Sequence, residues 1–471
     1  MSAQDNHSSV GCGGQSGRSI SRGDFLRRSA AVGAALSAAG IGGLGLAREA
    51  HGQLPVIDSL LEEQLADATS PLRAILTYDE NPSQAQVRQV RQTGASVHEF
   101  AVLPMLGVLA TGEQIRQMPS LEGVLSVYAD RGLDLFLDES RPLVGADRVE
   151  RDLGFTGEGV GVAVIDSGID GLYSQDVRFP ERTVQNVKII GDNFFSGETV
   201  TLEDLPNTDT TSGHGTHVSG VTGGDGTASE GRYTGVAPGA DLVGVGVGDG
   251  PLVLFALQGF DYILANRRRY NIQVINNSYG TTGEFDPNDP MNVATKQAHD
   301  AGITVVFAAG NAGPANDTLN PFSVAPWVIG VAAAEKDGET LAEFSSRGRP
   351  GSDLYRPTLT APGVDIVSTR ASTGITTGLP AATDDAGNIP PDLLPFYTTL
   401  SGTSFSSPHV AGVVALMKEA NPSLTPDEAK ENLMQTATPM DSAVHEAGAG
   451  YLDAFGAVQT VQSSAASVAG S

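Results

Sequence analysis

Cysteine is almost absent from this chain of 471 residues, which contains only Cys12. A single cysteine excludes a scaffold held by disulfides and a cysteine-rich zinc site. Basic residues are also scarce, since 28 Lys and Arg stand against 55 Asp and Glu and give a formal net charge of −27. This balance excludes a protein that binds nucleic acid by neutralising its phosphates.

Long apolar runs are scarce as well, and the clearest one lies near the N-terminus. Residues 30–47 carry no charge and follow Arg22, Arg27 and Arg28. This pattern predicts an export signal over residues 1–50, and hence an extracellular protein. The run consists mainly of Ala and Gly, which favours a cleaved signal over the alternative, a retained membrane anchor. Residues 21–26 (SRGDFL) resemble a twin-arginine signal with glycine at the second arginine, so the twin-arginine and general secretory pathways both stay open.

Residues 71–131 show short apolar runs that alternate with helical periodicity. The order of the runs predicts a strand, a helix, two strands, a helix and a strand. Such a βαββαβ unit is a small α+β domain. We assign residues 51–70 to a linker before it and residues 132–141 to a linker after it.

Residues 142–471 alternate β-branched apolar runs with amphipathic helices and glycine-rich turns. Continuous apolar strands predict a mainly parallel sheet covered by helices on both faces, which is an α/β fold. Ligands of such sheets gather at the carboxyl ends of the strands. The stretch 371–395 is rich in Thr, Gly and Pro and is interpreted as a surface insertion.

Three polar side chains follow strands or open helices of this predicted sheet. Asp166 ends an apolar strand, His214 lies between two glycines, and Ser404 opens a helix that contains a proline near its start. Each residue alone has another interpretation. Asp166 could be a helix cap or an ion-pair partner, and Ser404 could be an N-cap. His214 and His217 together could form an HxxH metal pair. The chain order Asp, His, Ser is one of the known orders of a serine-hydrolase triad.

The segments around these residues resemble the signatures of the subtilisin-like serine proteases. They read GVAVIDSGID at 161–170, GHGTHV at 213–218 and GTS with PHVAG at 402–412, and the resemblance covers residues 141–460. The chain departs from the family at Phe405 and Ser406, where Met and Ala are common. Because these two positions lie beside the nucleophile, the departure bears on which substrate side chains the enzyme prefers, not on whether it is active.

The resemblance implies an endopeptidase with catalytic residues Asp166, His214 and Ser404. Asn311, in the segment AAGN, corresponds to the family's oxyanion-hole asparagine. The resemblance also implies substrate-binding residues, which are Ser278, Tyr279, Gly280, Ala309 and Gly310. The expected partners are protein or peptide substrates. Once the signal is removed, the enzyme is expected to be a monomer that does not associate with a membrane.

The family commonly carries a propeptide that assists folding and then blocks the site. Residues 71–131 resemble it in pattern and position, which implies a zymogen that cuts itself within residues 132–141. An unrelated small domain is the alternative. The chemistry needs no cofactor and we assign no metal ligand, but a structural Ca²⁺ is possible, with Asp176 and residues 224–230 as the nearest candidates.

Two other function classes remain open at this point. A catalytically silent relative would act as a binding protein, although it has no reason to retain all four catalytic residues. An esterase or lipase on a similar sheet would need a Gly-x-Ser-x-Gly elbow and a different triad order, and the chain has neither.

The acidity itself carries a further prediction. Residues 138–471 contain 18 basic and 41 acidic residues, a net charge of −23, and only 5 of the 28 basic residues of the whole chain are Lys. This composition resembles that of proteins from salt-loving organisms, which predicts a fold stabilised by salt. The alternative is that the charge serves solubility alone.

Overall fold

The structure is a computed structural model that describes residues 56–67, 70–130, 134–135, 141–190, 200–248, 252–372 and 385–469. The predicted export signal over residues 1–50 therefore lies outside the described residues. Among the residues that are described, no helix is both long and apolar enough to cross a membrane.

The N-terminal part forms a five-stranded sheet with helices packed on it. Its strands are β1 (Val56–Ile57), β2 (Leu72–Thr77), β3 (Ser96–Glu99), β4 (Met105–Ala110) and β5 (Ser126–Ala129), in the order β1-β5-β2-β4-β3. Its helices are α1 (Ser59–Asp67), α2 (Gln84–Gln92) and α3 (Gly112–Gln117). Ser83 and Thr111 begin the second and third helices through capping boxes with Gln86 and Gln114. From β2 to β5 the elements follow the predicted βαββαβ order.

The linker predicted at residues 51–70 is too long. Within it, β1 pairs in parallel with β5, and Leu61 and Leu65 of α1 are buried in the core of the small sheet. A strand of two residues is too short for its periodicity to be recognised, and this explains the error.

The C-terminal part contains an eight-stranded sheet in the order β15-β14-β13-β11-β7-β10-β8-β9. Its strands are β7 (Gly161–Asp166), β8 (Thr183–Ile190), β9 (Val200–Leu202), β10 (Asp241–Gly246), β11 (Ile272–Asn277), β13 (Thr304–Ala308), β14 (Val328–Ala334) and β15 (Leu359–Pro362). All neighbours pair in parallel except β8 with β9. This confirms the predicted α/β class.

Helices cover both faces of this sheet. They are α4 (Ala146–Arg148), continued by a π-helical turn at Val149–Leu153, α5 (His214–Gly223), α6 (Val253–Asn266), α7 (Pro290–Asp300), α8 (Thr403–Ala420), α9 (Pro426–Thr436), α10 (Val444–Ala447) and α11 (Ala454–Ala469). Ala163 and Ile165 of β7 point into the core shared with α6 and α7, whereas Val162 points into the core shared with α8. The alternation places a continuous apolar strand between two cores.

Short elements complete the fold. Two further two-stranded sheets pair β6 (Asp134–Leu135) with β12 (Tyr279–Gly280) and β16 (Ile366–Thr369) with β17 (Tyr397–Leu400). Single turns of 3₁₀ helix lie at Met118–Ser120, Pro142–Val144, Gln175–Val177, Thr227–Ser229 and Pro321–Ser323. Most of the predicted surface insertion, residues 373–384, lies outside the described residues.

Candidate active site

Asp166 and His214 meet at the carboxyl edge of the large sheet. Asp166 is the last residue of the central strand β7, and His214 is the first residue of α5. Nδ1 of His214 lies 2.6 Å from Oδ1 of Asp166, and both side chains are fully buried. Because Nδ1 faces a carboxylate, it carries the proton and leaves Nε2 as the basic nitrogen of the neutral ring.

Close packing brings the two residues together. Gly213 precedes the helix with a φ of 81°, which favours glycine. A Cβ at Gly215 would lie 2.3 Å from the Gly168 carbonyl oxygen and 2.9 Å from Cβ of Asp166. Only a glycine lets the first turn of α5 approach the end of β7 so closely.

Ser404 lies at the start of α8, the helix that packs beside α5 on the same face of the sheet. It is the second residue of that helix, where a backbone N–H has no acceptor within the helix. Its Oγ donates to the Ser278 carbonyl at 2.7 Å, and the Ser278 Oγ donates to the Ser404 carbonyl at 2.6 Å. The next residue, Phe405, places its ring centroid 5.5 Å from that of His214, so the serine and the histidine share one corner of the fold.

Asn311 follows β13 and faces the start of α8. Its Oδ1 accepts hydrogen bonds from the Thr403 N–H at 3.0 Å and from the Thr403 Oγ at 2.9 Å. Since an amide N–H can only donate, this pairing fixes which end of the Asn311 side chain is oxygen and leaves the NH₂ group for another acceptor. Sequence reasoning missed this role of Thr403, although it immediately precedes Ser404.

A second strand pairs with the segment Ser278–Gly280. Strand β6, from the predicted processing linker, pairs antiparallel with β12, with Leu135 opposite Tyr279 and Asp134 opposite Gly280. The Tyr279 side chain is fully buried and donates to Asn277 Oδ1 at 2.7 Å. Only the backbone of Tyr279 is therefore available to an added strand.

Ala309 and Gly310 lie opposite that segment and use their backbone groups inside the protein. The Ala309 N–H donates to the Val331 carbonyl at 2.9 Å, and the Gly310 N–H donates to Thr403 Oγ at 3.1 Å. Asn320, which sequence reasoning missed, connects the two segments because its Nδ2 donates to the Tyr279 carbonyl at 3.1 Å and the Ala308 carbonyl at 3.0 Å. The backbone N–H groups of Ala309 and Gly310 are thus used within the protein, and the role of these residues in substrate binding stays a prediction.

The structure does not support the HxxH metal alternative. His217 Nε2 lies 3.1 Å from the Thr398 carbonyl, its ring packs edge-on against Phe405, and burial lowers its pKa to about 3. Within the described parts of the chain, no group of three or more His, Cys, Asp or Glu residues is arranged to hold a metal ion.

The candidate calcium residues do come together, but their oxygens face protein donors. Asp176 Oδ1 accepts the Ala228 N–H at 2.8 Å, its Oδ2 accepts the Tyr397 hydroxyl, and Asp225 Oδ1 accepts the Thr227 N–H at 2.9 Å. Burial raises the pKa of Asp176, while the hydrogen bonds from Ala228 and Tyr397 act in the opposite direction. The arrangement therefore does not fit a calcium site.

Comparison with known proteins identifies the relatives of the chain. The model of the subtilase family matches residues 157–457. Serine protease AprX of Bacillus subtilis is 34% identical over 331 residues, which cover 66% of this chain and 68% of AprX. A thermostable alkaline protease of Halalkalibacterium halodurans is 29% identical, with 74% of this chain and 81% of that protein covered.

A solved structure shows the same fold. Fervidolysin of Fervidobacterium pennivorans, described as a keratinolytic enzyme related to subtilisin, matches 87% of this chain with a TM-score of 0.65 at 20% identity. The match covers 63% of the fervidolysin chain, which is less than two thirds of its length.

Proposed function

Because this chain belongs to the subtilase family of serine endopeptidases, we propose that Asp166, His214 and Ser404 form its catalytic triad. The observation that carries the assignment is the buried 2.6 Å contact between Asp166 and His214, beside the helix whose second residue is Ser404. The same three residues combine a carboxylate, a titratable ring and a hydroxyl nucleophile at one edge of the sheet.

Each residue then has one task in peptide hydrolysis. The Ser404 hydroxyl turns from the Ser278 carbonyl toward His214 Nε2, which takes its proton as Oγ attacks the carbonyl carbon of the substrate. Asp166 holds the ring and stabilises the imidazolium. The ring returns the proton to the leaving amine, and a water activated by the same nitrogen hydrolyses the acyl-enzyme.

Asn311 and the start of α8 supply the oxyanion hole. The amide of Asn311 is held by Thr403, and the backbone N–H of Ser404 is an unused donor of the first helical turn. The two donors would meet the negative charge that develops on the substrate oxygen in the transition state.

The substrate binds as an added β-strand on Ser278–Gly280. Backbone pairing binds an extended peptide through its main chain, independently of its side chains. This mode of binding is appropriate for an endopeptidase, which cleaves within extended chains. The antiparallel pairing of β6 with β12 supports this proposal, because a strand of the chain itself already occupies that edge.

The N-terminal sheet acts as an inhibitory propeptide. Asp261 of α6 accepts the backbone N–H groups of Ala101, Val102 and Leu103, at 3.0, 2.5 and 3.1 Å. In the opposite direction, Asp130 of the N-terminal part accepts the Leu254 N–H at 2.7 Å near the start of α6. This contact holds the sheet beside the substrate edge, and cutting within residues 132–141 would release it. Most of that segment lies outside the described residues.

We extend the proposal to an exported enzyme that works outside the cell as a monomer. The charged N-terminal segment and the apolar run at residues 30–47 support export. The acidic composition supports a salt-adapted protein.

Replacing Ser404 by Ala tests the assignment. Peptide hydrolysis should be lost and the full-length precursor should accumulate, as followed by peptide cleavage and mass spectrometry. Ser219→Ala is a matched control, since Ser219 is buried and its Oγ makes no hydrogen bond. Hydrolysis by the Ser404→Ala protein would reject the nucleophile, whereas normal maturation without hydrolysis would assign the cut to another protease.

A further inference from the structure

A buried carboxylate outside the triad connects the segments that carry Asp166 and His214. Asp209 is fully buried and lies five residues before His214 in the sequence. Neither the reaction chemistry nor the substrate strand uses it. Its contacts therefore need another explanation.

Asp209 caps the first turn of α5 from outside the helix. Its Oδ1 accepts the Gly213 N–H at 3.0 Å, and its Oδ2 accepts the Thr216 N–H at 3.0 Å and the Thr216 hydroxyl at 2.6 Å. Backbone N–H groups in a first turn have no partner within the helix, so a buried helix start needs such an acceptor. The carboxylate thus fixes the turn that contains His214.

Thr216 extends this contact to the loop that follows Asp166. Its hydroxyl donates to Asp209 and accepts the Asp170 N–H at 2.9 Å. Beside it, the Gly215 N–H donates to Ser167 Oγ at 2.8 Å. One hydroxyl therefore connects the cap of the histidine helix with the loop of the catalytic aspartate.

Lys188 of β8 fixes the same segments from the sheet. Its Nζ donates to the Ser167 carbonyl at 2.9 Å and to the Thr208 carbonyl at 2.5 Å. Ser167 follows Asp166, and Thr208 precedes Asp209. The position of Asp209 relative to Asp166 is thus determined by contacts on both sides.

We propose that Asp209 is a positioning residue that, through Thr216, holds His214 at hydrogen-bonding distance from Asp166. This inference rests on the triad proposed above. The 2.6 Å contact requires that the start of α5 keep its place relative to the end of β7. A displacement of about 1 Å at a catalytic group can cost about a hundredfold in rate.

A cap that only stabilises the fold would behave differently. Its removal would lower the melting temperature but leave the turnover of the folded enzyme unchanged. A positioning residue changes kcat while KM stays the same, because Ser278–Gly280 lie on another element and keep their contacts.

Thr216 provides the cleanest pair of variants. Thr216→Val keeps the shape of the side chain but removes the hydroxyl, whereas Thr216→Ser retains it. We expect kcat of the mature Thr216→Val enzyme to fall about ten- to a hundredfold with KM within about twofold, and Thr216→Ser to restore kcat. Asp209→Asn should lower kcat as well, and if it does not fold, the Thr216 pair still decides the question.

A spectroscopic measurement separates the two roles independently of turnover. The proton between His214 Nδ1 and Asp166 should give a far-downfield proton NMR resonance, to be recorded on the full chain with Ser404→Ala to prevent self-digestion. Adding Thr216→Val should shift or broaden it, and adding Thr216→Ser should not. An unchanged resonance and unchanged kcat in Thr216→Val, with only a lower melting temperature, would overturn the proposal. Absence of the resonance from the Ser404→Ala parent would overturn the triad geometry itself.

Discussion

Two of the regions that contain buried carboxylates differ in what those carboxylates contact. At the edge of the large sheet, Asp166 contacts the imidazole of His214 at 2.6 Å. Where the N-terminal sheet meets α6, Asp261 and Asp130 contact backbone N–H groups. Each carboxylate is almost completely removed from solvent, so burial alone does not distinguish the two regions.

The difference lies in what the partner can do. An imidazole gains and loses a proton near neutral pH, so a carboxylate beside it can stabilise a charge that appears during a reaction. A backbone N–H does not titrate, so a carboxylate beside it binds and orients its partner but stabilises no charge that appears there during a reaction. We therefore expect changes at the sheet edge to alter turnover and changes at the α6 contact to alter propeptide release.

Among substitutions that leave the triad intact, the largest effect should come from Asn311, at the sheet edge. Asn311→Ala removes a donor that meets charge only in the transition state, so kcat should fall about 10² to 10³-fold while KM changes little. Steady-state kinetics on the mature enzyme measures both constants. Asn316→Ala, in the same loop, is the control and should leave kcat unchanged. A normal kcat in Asn311→Ala would exclude Asn311 from the oxyanion hole.

Asp261→Ala tests the other region. It removes the acceptor of three backbone hydrogen bonds to residues 101–103. Hydrogen bonds to charged groups contribute about 1.5 to 3 kcal/mol each, so the cleaved propeptide should leave at least about ten times faster. The rate at which activity appears after processing reports this release, with Asp300→Ala on the exposed side of α7 as control. Slower turnover of the released enzyme, with unchanged release, would contradict the division of roles.

We expect Asp130 to make the release of the propeptide depend on pH. Burial in the docked form raises the pKa of its carboxyl from 3.8 to about 7, although the Leu254 N–H and Arg73 act in the opposite direction. Docking then favours the protonated form, so its stability is fully present below the free pKa and is lost as the pH rises through 7. Propeptide release should accelerate at least about tenfold between about pH 5 and pH 8.

Asp130→Asn cannot gain or lose that proton but retains an oxygen for the Leu254 N–H. Its release rate should depend less on pH over the same interval. Catalysis must be assayed separately at one fixed pH, so that a pH effect on turnover is not mistaken for an effect on propeptide release. An equally steep pH dependence in Asp130→Asn would assign the effect to another group.

The smallest effect per residue is expected from the dispersed surface charge. Residues 56–130 carry 4 basic and 10 acidic residues and residues 138–471 carry 18 and 41, so both parts are negative. Repulsion between exposed carboxylates is screened over about 10 Å at 0.1 M salt and about 3 Å at 1 M. The half-life at fixed calcium should therefore rise from about 0.1 to 3 M NaCl, and a flat series would support charge for solubility alone.

The sequence predicts well what local periodicity determines. The mainly parallel sheet and the βαββαβ order of the small domain were expected from apolar runs, and the three family motifs led to the subtilase family. The candidate residues Asp166 and His214 lie together, as the resemblance implied. The catalytic roles themselves stay predictions until the variants are assayed.

Contacts between distant residues were not predictable in the same way. Asp261 reaches the N–H of Ala101 across 160 positions of sequence. Thr403 and Asn320 hold their neighbours through hydrogen bonds between separate elements, and neither has a local pattern that distinguishes it from an ordinary polar residue. Asp209 is an intermediate case, because an aspartate shortly before a predicted helix start is a recognisable cap candidate.

The most direct test of the catalytic centre is covalent labelling of the mature enzyme with a serine-reactive phosphonate, followed by peptide mass spectrometry. The reagent requires a serine activated by a neighbouring base. We predict one equivalent of label per molecule, carried by Ser404, and no label in the His214→Ala variant. Labelling of another serine, or equal labelling without His214, would contradict the account.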